Sequence, residues 1–178
     1  MVKLKFETMK KLILSTIFLI FLSIKTSEFP LKEVFIEKKY ELMEFSPENL
    51  YGYICYLGFS DPFFIYKQAI NESGWFKSPL YERTNNLFGL HKAYKRETMA
   101  DYWIKADNGL YSGYSHWTKS VQDRKLYDDW LLKTYPEVEY KVAILMAGYC
   151  PNKHYVTNIE KIKVDLKRLR KCIDEDRI

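Results

Sequence analysis

One carboxylate in this sequence stands where it could act as an acid, at the end of an apolar helical run. The stretch QAINESGW, residues 68–75, keeps a helical apolar pattern up to Glu72 and breaks it with Ser73 and Gly74. Glu72 would then lie in the last helical turn, at the border of the apolar arc, with Trp75 within reach. Partial burial and the negative end of the helix dipole both raise the pKa of such a carboxyl group. The pattern fits a proton donor for glycosidic cleavage, and it also fits a surface glutamate at a helix end.

Two helices are predicted around this carboxylate, and each shows start and stop signals. A capping residue and a proline at the first helical position begin each helix, and a glycine ends it. These residues are Ser46, Pro47 and Gly58 in SPENLYGYICYLG, and Asp61, Pro62 and Gly74 in SDPFFIYKQAINESG. Between Tyr81 and Ser115 the period is lost among Asn, Gly, Lys and Tyr, so we expect loops, a short helix and a small hairpin there.

Three more helices are predicted downstream, which makes the chain mainly α. The first begins at a Ser120-x-x-Asp123 capping box and turns Leu126, Tyr127, Trp130 and Leu131 inward. The second runs from Pro136 to about Ala147 and stops at Gly148. The last runs from about Thr157 to Cys172 and buries Ile159, Ile162, Leu166 and Leu169.

The N-terminus has the layout of an export signal. Four lysines precede an apolar run from Leu12 to Ile24, which is short for the roughly 20 residues of a membrane span. We expect a signal peptide over residues 1–25, or else an uncleaved anchor, followed by a lead-in over 26–45 and one domain over 46–173. The protein would then be exported to the periplasm or the cell envelope.

Most of the net positive charge of the chain lies in this N-terminal segment. Residues 1–25 carry five lysines and one glutamate, a net +4 out of the whole-chain +5. The mature protein would therefore be close to neutral, which gives no support for a nucleic-acid partner.

Neither a metal nor a cofactor is indicated by the sequence. The three histidines, His91, His116 and His154, are widely separated and show no ligand spacing. The three cysteines are Cys55, Cys150 and Cys172. An odd number of cysteines in an exported chain allows at most one internal disulfide, and small buried thiols are the simpler interpretation.

Several motifs of the chain occur together in one known family. They are QAINESG at residues 68–74, NNLFG at 85–89, YSHWTKSVQD at 114–123 and GYCPNKHYVTNI at 148–159. In this order they resemble the glucosaminidase domain family, exported bacterial hydrolases of the lysozyme superfamily that cut peptidoglycan. The resemblance covers roughly residues 50–165, and it departs from the family at Cys150 and Pro151, where an alanine and an acidic residue are usual.

The resemblance implies a lysozyme-like single domain, with an irregular or small hairpin segment between the helices that flank the active cleft. Glu72 matches the catalytic acid, and Tyr149 matches a tyrosine that faces the same cleft. The substrate-binding residues that it implies are Gln68, Trp75, Asn86, Phe88, Gly89 and Tyr114. Each role has a simpler alternative: Phe88 can belong to the core, Asn86 can form a turn, and Tyr149 can pack at a helix end.

The activity implied is cleavage of β-1,4 bonds at N-acetylglucosamine in peptidoglycan strands, by a monomer without cofactor or metal. A muramidase, a lytic transglycosylase and an inactive wall-binding module remain alternatives. Glycosidases often use a second carboxylate, and Glu97, Asp101 and Asp107 are candidates that the sequence does not rank. Assistance by the 2-acetamido group of the substrate would need no such residue.

Overall fold

The structure is a computed structural model, and it describes residues 38–106, 109–165 and 167–169. The chain divides after Leu42 into two compact units. Residues 38–41 of the first unit are helical, and the remaining elements belong to the second unit. The predicted signal peptide lies outside the described residues. None of the helices within the described ranges combines the length and apolarity that a membrane crossing requires.

The described part of the second unit is mainly helical, with a small hairpin in its middle. Its helices are α1 Pro47–Tyr56, α2 Pro62–Glu72, α3 Pro79–Thr84, α4 Trp117–Thr134, α5 Tyr140–Met146 and α6 Tyr155–Glu160. Between α3 and α4, the strands β1 Tyr102–Ala106 and β2 Gly109–Gly113 pair antiparallel. The predicted fold class, mainly α with a small hairpin between helices, is confirmed.

The first two helices begin as the sequence predicts. Ser46 Oγ accepts a hydrogen bond from the backbone N–H of Asn49 at 3.0 Å, and Asp61 Oδ1 accepts one from that of Phe64 at 2.9 Å. Each bond satisfies a backbone donor that the helix itself leaves unpaired. Gly74 follows α2 with φ of +58°, a conformation that glycine adopts without steric cost.

The core gathers the apolar sides of these helices. Helix α2 contacts α1 and α6, while α4 contacts α1 and α5. The buried apolar residues of these five helices include Leu50, Tyr53, Ile54, Ile65, Ala69, Ile70, Val121, Leu131, Ile144 and Ile159. Glu72 is the last residue of α2 and is only partly buried, so it lies at the border of this core.

The N-cap of helix α4 lies four residues earlier than predicted, and the predicted capping box is wrong. His116 is the N-cap, so Ser120 and Asp123 lie inside the helix. Ser120 Oγ accepts a hydrogen bond from the backbone N–H of Leu87 at 3.0 Å, and Asp123 Oδ2 accepts one from the Tyr114 hydroxyl at 2.6 Å. Both side chains thus bind segments that precede the helix in the chain.

The inward face of α4 is also more polar than predicted. Leu131 is fully buried, whereas Leu126, Tyr127 and Trp130 are only partly buried. The buried polar and charged residues of α4 are Thr118, Ser120, Asp123, Arg124 and Asp128. These side chains mostly find hydrogen-bond partners inside the protein, which offsets the loss of water around them.

Helix α5 is shorter than predicted. It begins at Tyr140 rather than at Pro136, and Glu139 caps it by accepting a hydrogen bond from the backbone N–H of Val142 at 3.1 Å. Residues 136–138 form a turn instead. The predicted stop near Gly148 is confirmed, since Gly148 has φ of +71° just beyond the helix.

Helix α6 ends at Glu160, whereas the sequence predicts a helix up to Cys172. Residues 162–165 are not helical. Asp165 Oδ1 accepts a hydrogen bond from the backbone N–H of Lys167 at 3.0 Å, and such a local bond competes with a continuous helix. Residue 166 and the residues after 169 lie outside the described part of the chain.

The hairpin gains a third, short neighbour from the segment before it. His91 pairs with Tyr111 of β2, and the backbone N–H of Lys92 donates to the carbonyl of Leu110 at 2.8 Å. The segment around residues 90–92 therefore runs along the free edge of β2. This placement matters for the site, because the same segment borders the groove described below.

Candidate active site

The end of α2 is shaped by Ser73. Its hydroxyl group donates to the carbonyl of Ala69 at 2.6 Å and accepts from the backbone N–H of Phe76 at 2.9 Å. The fully buried Ser73 side chain thus links the last turn of the helix to the reversal that follows. In the sequence Glu-Ser-Gly, Glu72 is the last helical residue and Ser73 caps the helix. Gly74 then adopts the positive φ that the turn requires.

The reversal continues through two residues that are not glycine. Trp75 and Phe76 have φ of 59° and 63°, a conformation that costs an ordinary residue about 1 kcal/mol. The Phe76 ring packs edge-on against Phe45 at 5.1 Å and near Tyr81 at 6.5 Å, which helps to offset that cost. The Trp75 side chain is 58% exposed. The strained turn therefore reverses the direction of the chain immediately after Glu72.

A groove of about 670 Å³ opens beside Glu72. Its walls are residues 88–96, the α4 side chains Tyr127 and Trp130, and residues 147–151 between α5 and α6. This volume is typical of sites that hold small ligands. Among the described residues that line the groove, Glu72 is the only acid.

The two oxygens of Glu72 have different surroundings. Oε1 accepts hydrogen bonds from the Tyr155 hydroxyl at 2.7 Å and from Asn71 Nδ2 at 3.2 Å. Oε2 faces Gly89, where a Cβ atom would lie 3.4 Å from that oxygen. Since Gly89 lines the groove, Oε2 is the oxygen on the groove side. A neutral carboxyl group at Glu72 would carry its proton there, because Oε1 already accepts two hydrogen bonds.

Burial raises the pKa of the Glu72 carboxyl above its ordinary value. The hydrogen bonds from Tyr155 and Asn71, and then the positive charge of Arg124, act in the opposite direction and do not cancel the effect of burial. The direction agrees with the raised pKa that the sequence predicts for this carboxyl group. The donors around Oε1 favour the carboxylate, so they are ready to stabilise it once the proton leaves.

Tyr155 belongs to a directional chain of hydrogen bonds that starts in the core. Arg124 Nε donates to Gln68 Oε1 at 3.0 Å, Gln68 Nε2 donates to the Tyr155 hydroxyl at 2.8 Å, and Tyr155 donates to Glu72. Arginine can only donate, so the direction of every later bond follows from the first. We call Glu72, Tyr155, Gln68 and Arg124 the acid network.

The acid network is anchored by a fully buried cation. Arg124 has no exposed surface, and its Nη2 donates to the Tyr140 hydroxyl at 2.9 Å. Its guanidinium lies 5.0 Å from the centre of the Tyr127 ring and 5.5 Å from that of Tyr149. Arg124 Nη1 and Asp128 Oδ1 are 3.7 Å apart and make no hydrogen bond. Asp128 therefore balances the positive charge of Arg124 but does not fix the orientation of its guanidinium group. The orientation of Arg124 therefore depends on Gln68, Tyr140 and the two rings.

Tyr149 connects two walls of the groove. Its hydroxyl donates to the carbonyl of Phe88 at 2.7 Å, and its ring packs against Tyr155 at 5.7 Å and Tyr127 at 5.4 Å. Burial, followed by the charge of Glu72, raises the pKa of Tyr149 well above its ordinary value, so it remains a donor. The tyrosine holds the loop at Phe88 in place beside Glu72.

The loop NNLFG is held by Asn86 from behind. Asn86 Nδ2 donates to the carbonyls of Leu90 and Ser112, each at 2.9 Å, and Oδ1 accepts from the backbone N–H of Leu90 at 2.9 Å. Gly89, with φ of +60°, brings the backbone close to Glu72. Asn86 thereby fixes the loop to the hairpin, and Gly89 leaves room for the acid.

The structure separates the residues for which the sequence predicts a site role. Glu72, Phe88, Gly89 and Tyr149 line the groove. Gln68, Asn86 and Tyr114 are at most 1% exposed, so they support the site from within the protein and do not face a substrate, in contrast to the expectation. Trp75 is exposed but lies outside the lining of the groove, because the reversal after Gly74 turns the chain away.

The candidates for a second carboxylate are not at the groove, as far as the described residues go. Glu97 is exposed and outside the lining. Asp101 is also outside it, where its carboxylate pairs with Lys119 and accepts a hydrogen bond from the backbone N–H of Ser115 at 2.7 Å. Asp107 lies outside the described residues. The described ranges contain no group of three or more His, Cys, Asp or Glu that could hold a metal ion.

Sequence reasoning missed the residues that set the environment of Glu72. Tyr155 was part of a recognised motif, but its spacing from Glu72 in the chain gives no sign of contact. Arg124 and Asp128 stand four residues apart inside a helix with many charges, so nothing marks them as buried. The helical pattern of the sequence predicts Tyr127 and Trp130 in the core, whereas both side chains line the groove. Only an expected contact between the ends of α2 and α6 could have identified Tyr155.

A mainly α domain with a partly buried carboxyl group of raised pKa on the wall of a groove is the arrangement of a lysozyme-like glycoside hydrolase. The sequence model of the glucosaminidase family, described as mannosyl-glycoprotein endo-beta-N-acetylglucosaminidase, matches residues 60–168. The chain belongs to the glucosaminidase family. Membership indicates a glycosidase related to peptidoglycan. Among curated proteins and among solved structures, no match to the chain was found.

Proposed function

We propose that the protein is an exported peptidoglycan hydrolase that cleaves β-1,4 bonds at N-acetylglucosamine, with Glu72 as the general acid. The observation that carries the proposal is the position of Glu72. It is the only acid among the described groove residues, its pKa is raised by burial, and Oε2 is directed to the groove. An acid that protonates a leaving sugar oxygen needs these properties.

The proposed step begins with the neutral carboxyl group. The proton on Oε2 moves to the glycosidic oxygen while the bond from that oxygen to the anomeric carbon breaks, and the electron pair stays with the oxygen. Glu72 becomes a carboxylate at that moment. Tyr155 and Asn71 already donate to Oε1, and hydrogen bonds to a charged acceptor are stronger than those to a neutral one. The acid network thus stabilises the product of proton transfer more than its starting state.

The positive charge that develops at the anomeric carbon needs a partner on the substrate or on the protein. Glu97 and Asp101 lie outside the groove lining. Of the named candidates this leaves Asp107, which lies outside the described residues, and the 2-acetamido oxygen of the substrate itself. Replacing Asp107 with asparagine tests the first: loss of about a hundredfold in rate supports Asp107, and near-normal turnover removes it and favours the acetamido group.

Digestion of purified cell wall by the mature chain tests the proposed function. A glucosaminidase leaves N-acetylglucosamine at each new reducing end, so borohydride reduction yields the alcohol of glucosamine. Muramitol would indicate a muramidase, and an anhydro ring without a new reducing end would indicate a lytic transglycosylase. Both results overturn the proposed bond but leave Glu72 as the acid.

A wall-binding module is the second candidate, because the described groove holds a single carboxylate. Such a module would bind the wall and release no fragments. Absence of cleavage together with intact binding would therefore reject the hydrolase in favour of the module.

The proposed export is tested by N-terminal sequencing of protein from the cell envelope. A first residue shortly after Ile24 supports a cleaved signal peptide, and a full-length chain in the membrane supports the anchor.

A further inference from the structure

The groove wall formed by residues 88–96 is rich in cations. Residues 88–96 contribute Lys92, Lys95 and Arg96 to the lining. Arg96 is nearly buried and forms an ion pair with Asp123. Among the described residues, no acid is paired with Lys92 or Lys95, and Glu72 is the only acid that lines the groove. This side of the groove therefore presents uncompensated positive charge to whatever enters it.

Lys92 lies between two exposed aromatic rings. Its Nζ is 4.7 Å from the centre of the Trp103 ring and 5.5 Å from that of Tyr94. Trp103 is 43% exposed and Tyr94 is 78% exposed. Exposed apolar side chains are common singly, but two exposed rings that share one ammonium group form a contiguous patch, and such patches mark interaction sites. We call Lys92, Tyr94 and Trp103 the hairpin patch.

The register of the hairpin explains why these residues meet. Lys92 pairs with Leu110 along one edge of β2, and Trp103 is opposite Ser112 along the other edge. Leu110 and Ser112 are two residues apart, so their neighbours lie on the same face of the sheet. Strand pairing therefore brings Lys92 and Trp103 together, and Tyr94 joins them from the segment that follows Lys92.

The hairpin patch continues the groove. Lys92 and Tyr94 line the groove together with Glu72, while Trp103 extends the same surface through its contact with Lys92. A ligand that passes Glu72 toward the hairpin would thus meet a cation flanked by two flat apolar faces. Sugar rings present flat apolar faces of their own, and a carboxylate on the sugar or beside it complements the ammonium group.

We propose that the hairpin patch is a binding site for a carboxylate-bearing unit of the glycan strand, at the hairpin end of the groove that Glu72 lines. Trp103 and Tyr94 stack on the sugar, and Lys92 pairs with the carboxylate. The inference rests on the proposed function and states which part of the substrate is recognised. The carboxylate comes either from the lactyl group on the sugar or from the attached peptide, and the shared chemistry is the anion next to a sugar ring.

Binding measurements on the full chain test the hairpin patch without interference from turnover. All proteins carry Glu72→Gln, so that no probe is cleaved. The variants are Trp103→Ala and Lys92→Gln. A matched control is available on α2, where Lys67 Nζ lies 4.6 Å from the centre of the Phe63 ring, outside the groove. Thermal melting of each variant checks that the fold is kept.

Three probes separate the contributions: a neutral N-acetylglucosamine oligomer, peptide-free glycan strands with lactyl carboxylates, and strands that keep their peptides. Trp103→Ala should weaken all three by about tenfold, as expected for one lost stacking ring. Lys92→Gln should weaken only the acidic probes, by about fivefold at low salt and less at high salt. An effect on the peptide-free strands assigns the carboxylate to the sugar, and an effect on peptide-bearing strands alone assigns it to the peptide.

Two results would overturn the hairpin patch. One is unchanged binding of every probe by both variants, and the other is an equal loss in Phe63→Ala and Lys67→Gln. Failure of the hairpin patch and failure of the proposed function give different results once wall cleavage is also measured, with Trp103→Ala and Lys92→Gln made in proteins that keep Glu72. Binding through the patch without any cleavage by the parent chain would reject the hydrolase alone. Normal cleavage by both variants together with unchanged binding would reject the patch alone.

Discussion

The two sides of the groove are built in opposite ways. On the side of α2, α4 and α6, the acid network places one carboxyl group at the end of three consecutive hydrogen bonds that begin at a fully buried arginine. On the hairpin side, the rings of Tyr94 and Trp103 are exposed, and their centres lie 5.5 and 4.7 Å from Lys92 Nζ. The first side holds the carboxyl group of Glu72 in one position, and the second side offers an exposed surface to a ligand.

This difference indicates a division of labour. A carboxyl pKa responds to burial and to each donor nearby, so the group that transfers a proton benefits from a rigid, buried support. Binding of a polymer benefits from area and charge, which exposed residues supply without disturbing the core. Changes on the first side should therefore alter rate and pH dependence, while changes on the second should alter affinity.

The largest effect should follow removal of the acid. Glu72→Gln keeps the shape and the hydrogen bond from Tyr155 but cannot donate a proton, so wall cleavage should fall by about two to four decades. Wall binding and the melting temperature should stay near those of the parent. Glu97→Gln, an exposed acid outside the groove, is the control and should retain its activity. Near-normal turnover in Glu72→Gln would remove this residue from the mechanism.

Gly89 tests the space beside the acid. Gly89→Ala should lose about 1 kcal/mol of stability from its positive φ, and should also lose about tenfold in rate because its methyl group reaches Glu72 Oε2. Gly58→Ala has a similar φ of +65° with no atom within 4 Å of the new Cβ. It should share the loss of stability but not the loss of rate. Equal rates in the two variants would show that Oε2 does not need this space.

Tyr155→Phe should shift the pH dependence of the reaction. The Tyr155 hydrogen bond lowers the pKa of Glu72, so its removal raises that pKa further. A general acid works only while protonated, and its activity is lost as pH rises through the pKa. The alkaline limb of kcat/KM should therefore move to higher pH, with a rate about tenfold lower because the carboxylate loses its donor. Tyr66→Phe, which alters a buried tyrosine packed against Tyr51, should leave the limb in place.

The smallest effect is expected on the hairpin side. In the active enzyme, Lys92→Gln should raise KM for peptidoglycan strands about threefold to fivefold and leave kcat unchanged, because the contact is made equally before and during the reaction. The rise in KM should shrink in high salt. A change in kcat or in the pH profile would contradict the division between the two sides.

The features that the sequence predicts well are local ones. Ser46, Asp61 and Gly74 act on backbone groups within a few residues, and each was assigned correctly to a helix start or end. The border position of Glu72 follows from helical spacing in the same way. Short-range rules suffice there because the partners are neighbours in the chain.

The features that were missed depend on distant partners. Ser120 and Asp123 have the spacing of a capping box, but their side chains bind Leu87 and Tyr114, which no local rule can anticipate. Gln68 and Tyr155 are 87 residues apart in the chain and in direct contact in the structure. Polar residues on a helix face can be solvated or paired inside the core, and the sequence pattern is the same in both cases.

The central claim, that Glu72 retains its proton at the groove, can be measured directly. The side-chain carboxyl groups of glutamate are labelled with carbon-13 and titrated by NMR, and the Glu72→Gln variant identifies the Glu72 signal by its loss. The account predicts that this signal titrates clearly above the ordinary glutamate pKa of about 4.3, and higher still in Tyr155→Phe. A Glu72 signal that titrates at or below the ordinary value, and does not move in Tyr155→Phe, would contradict the account.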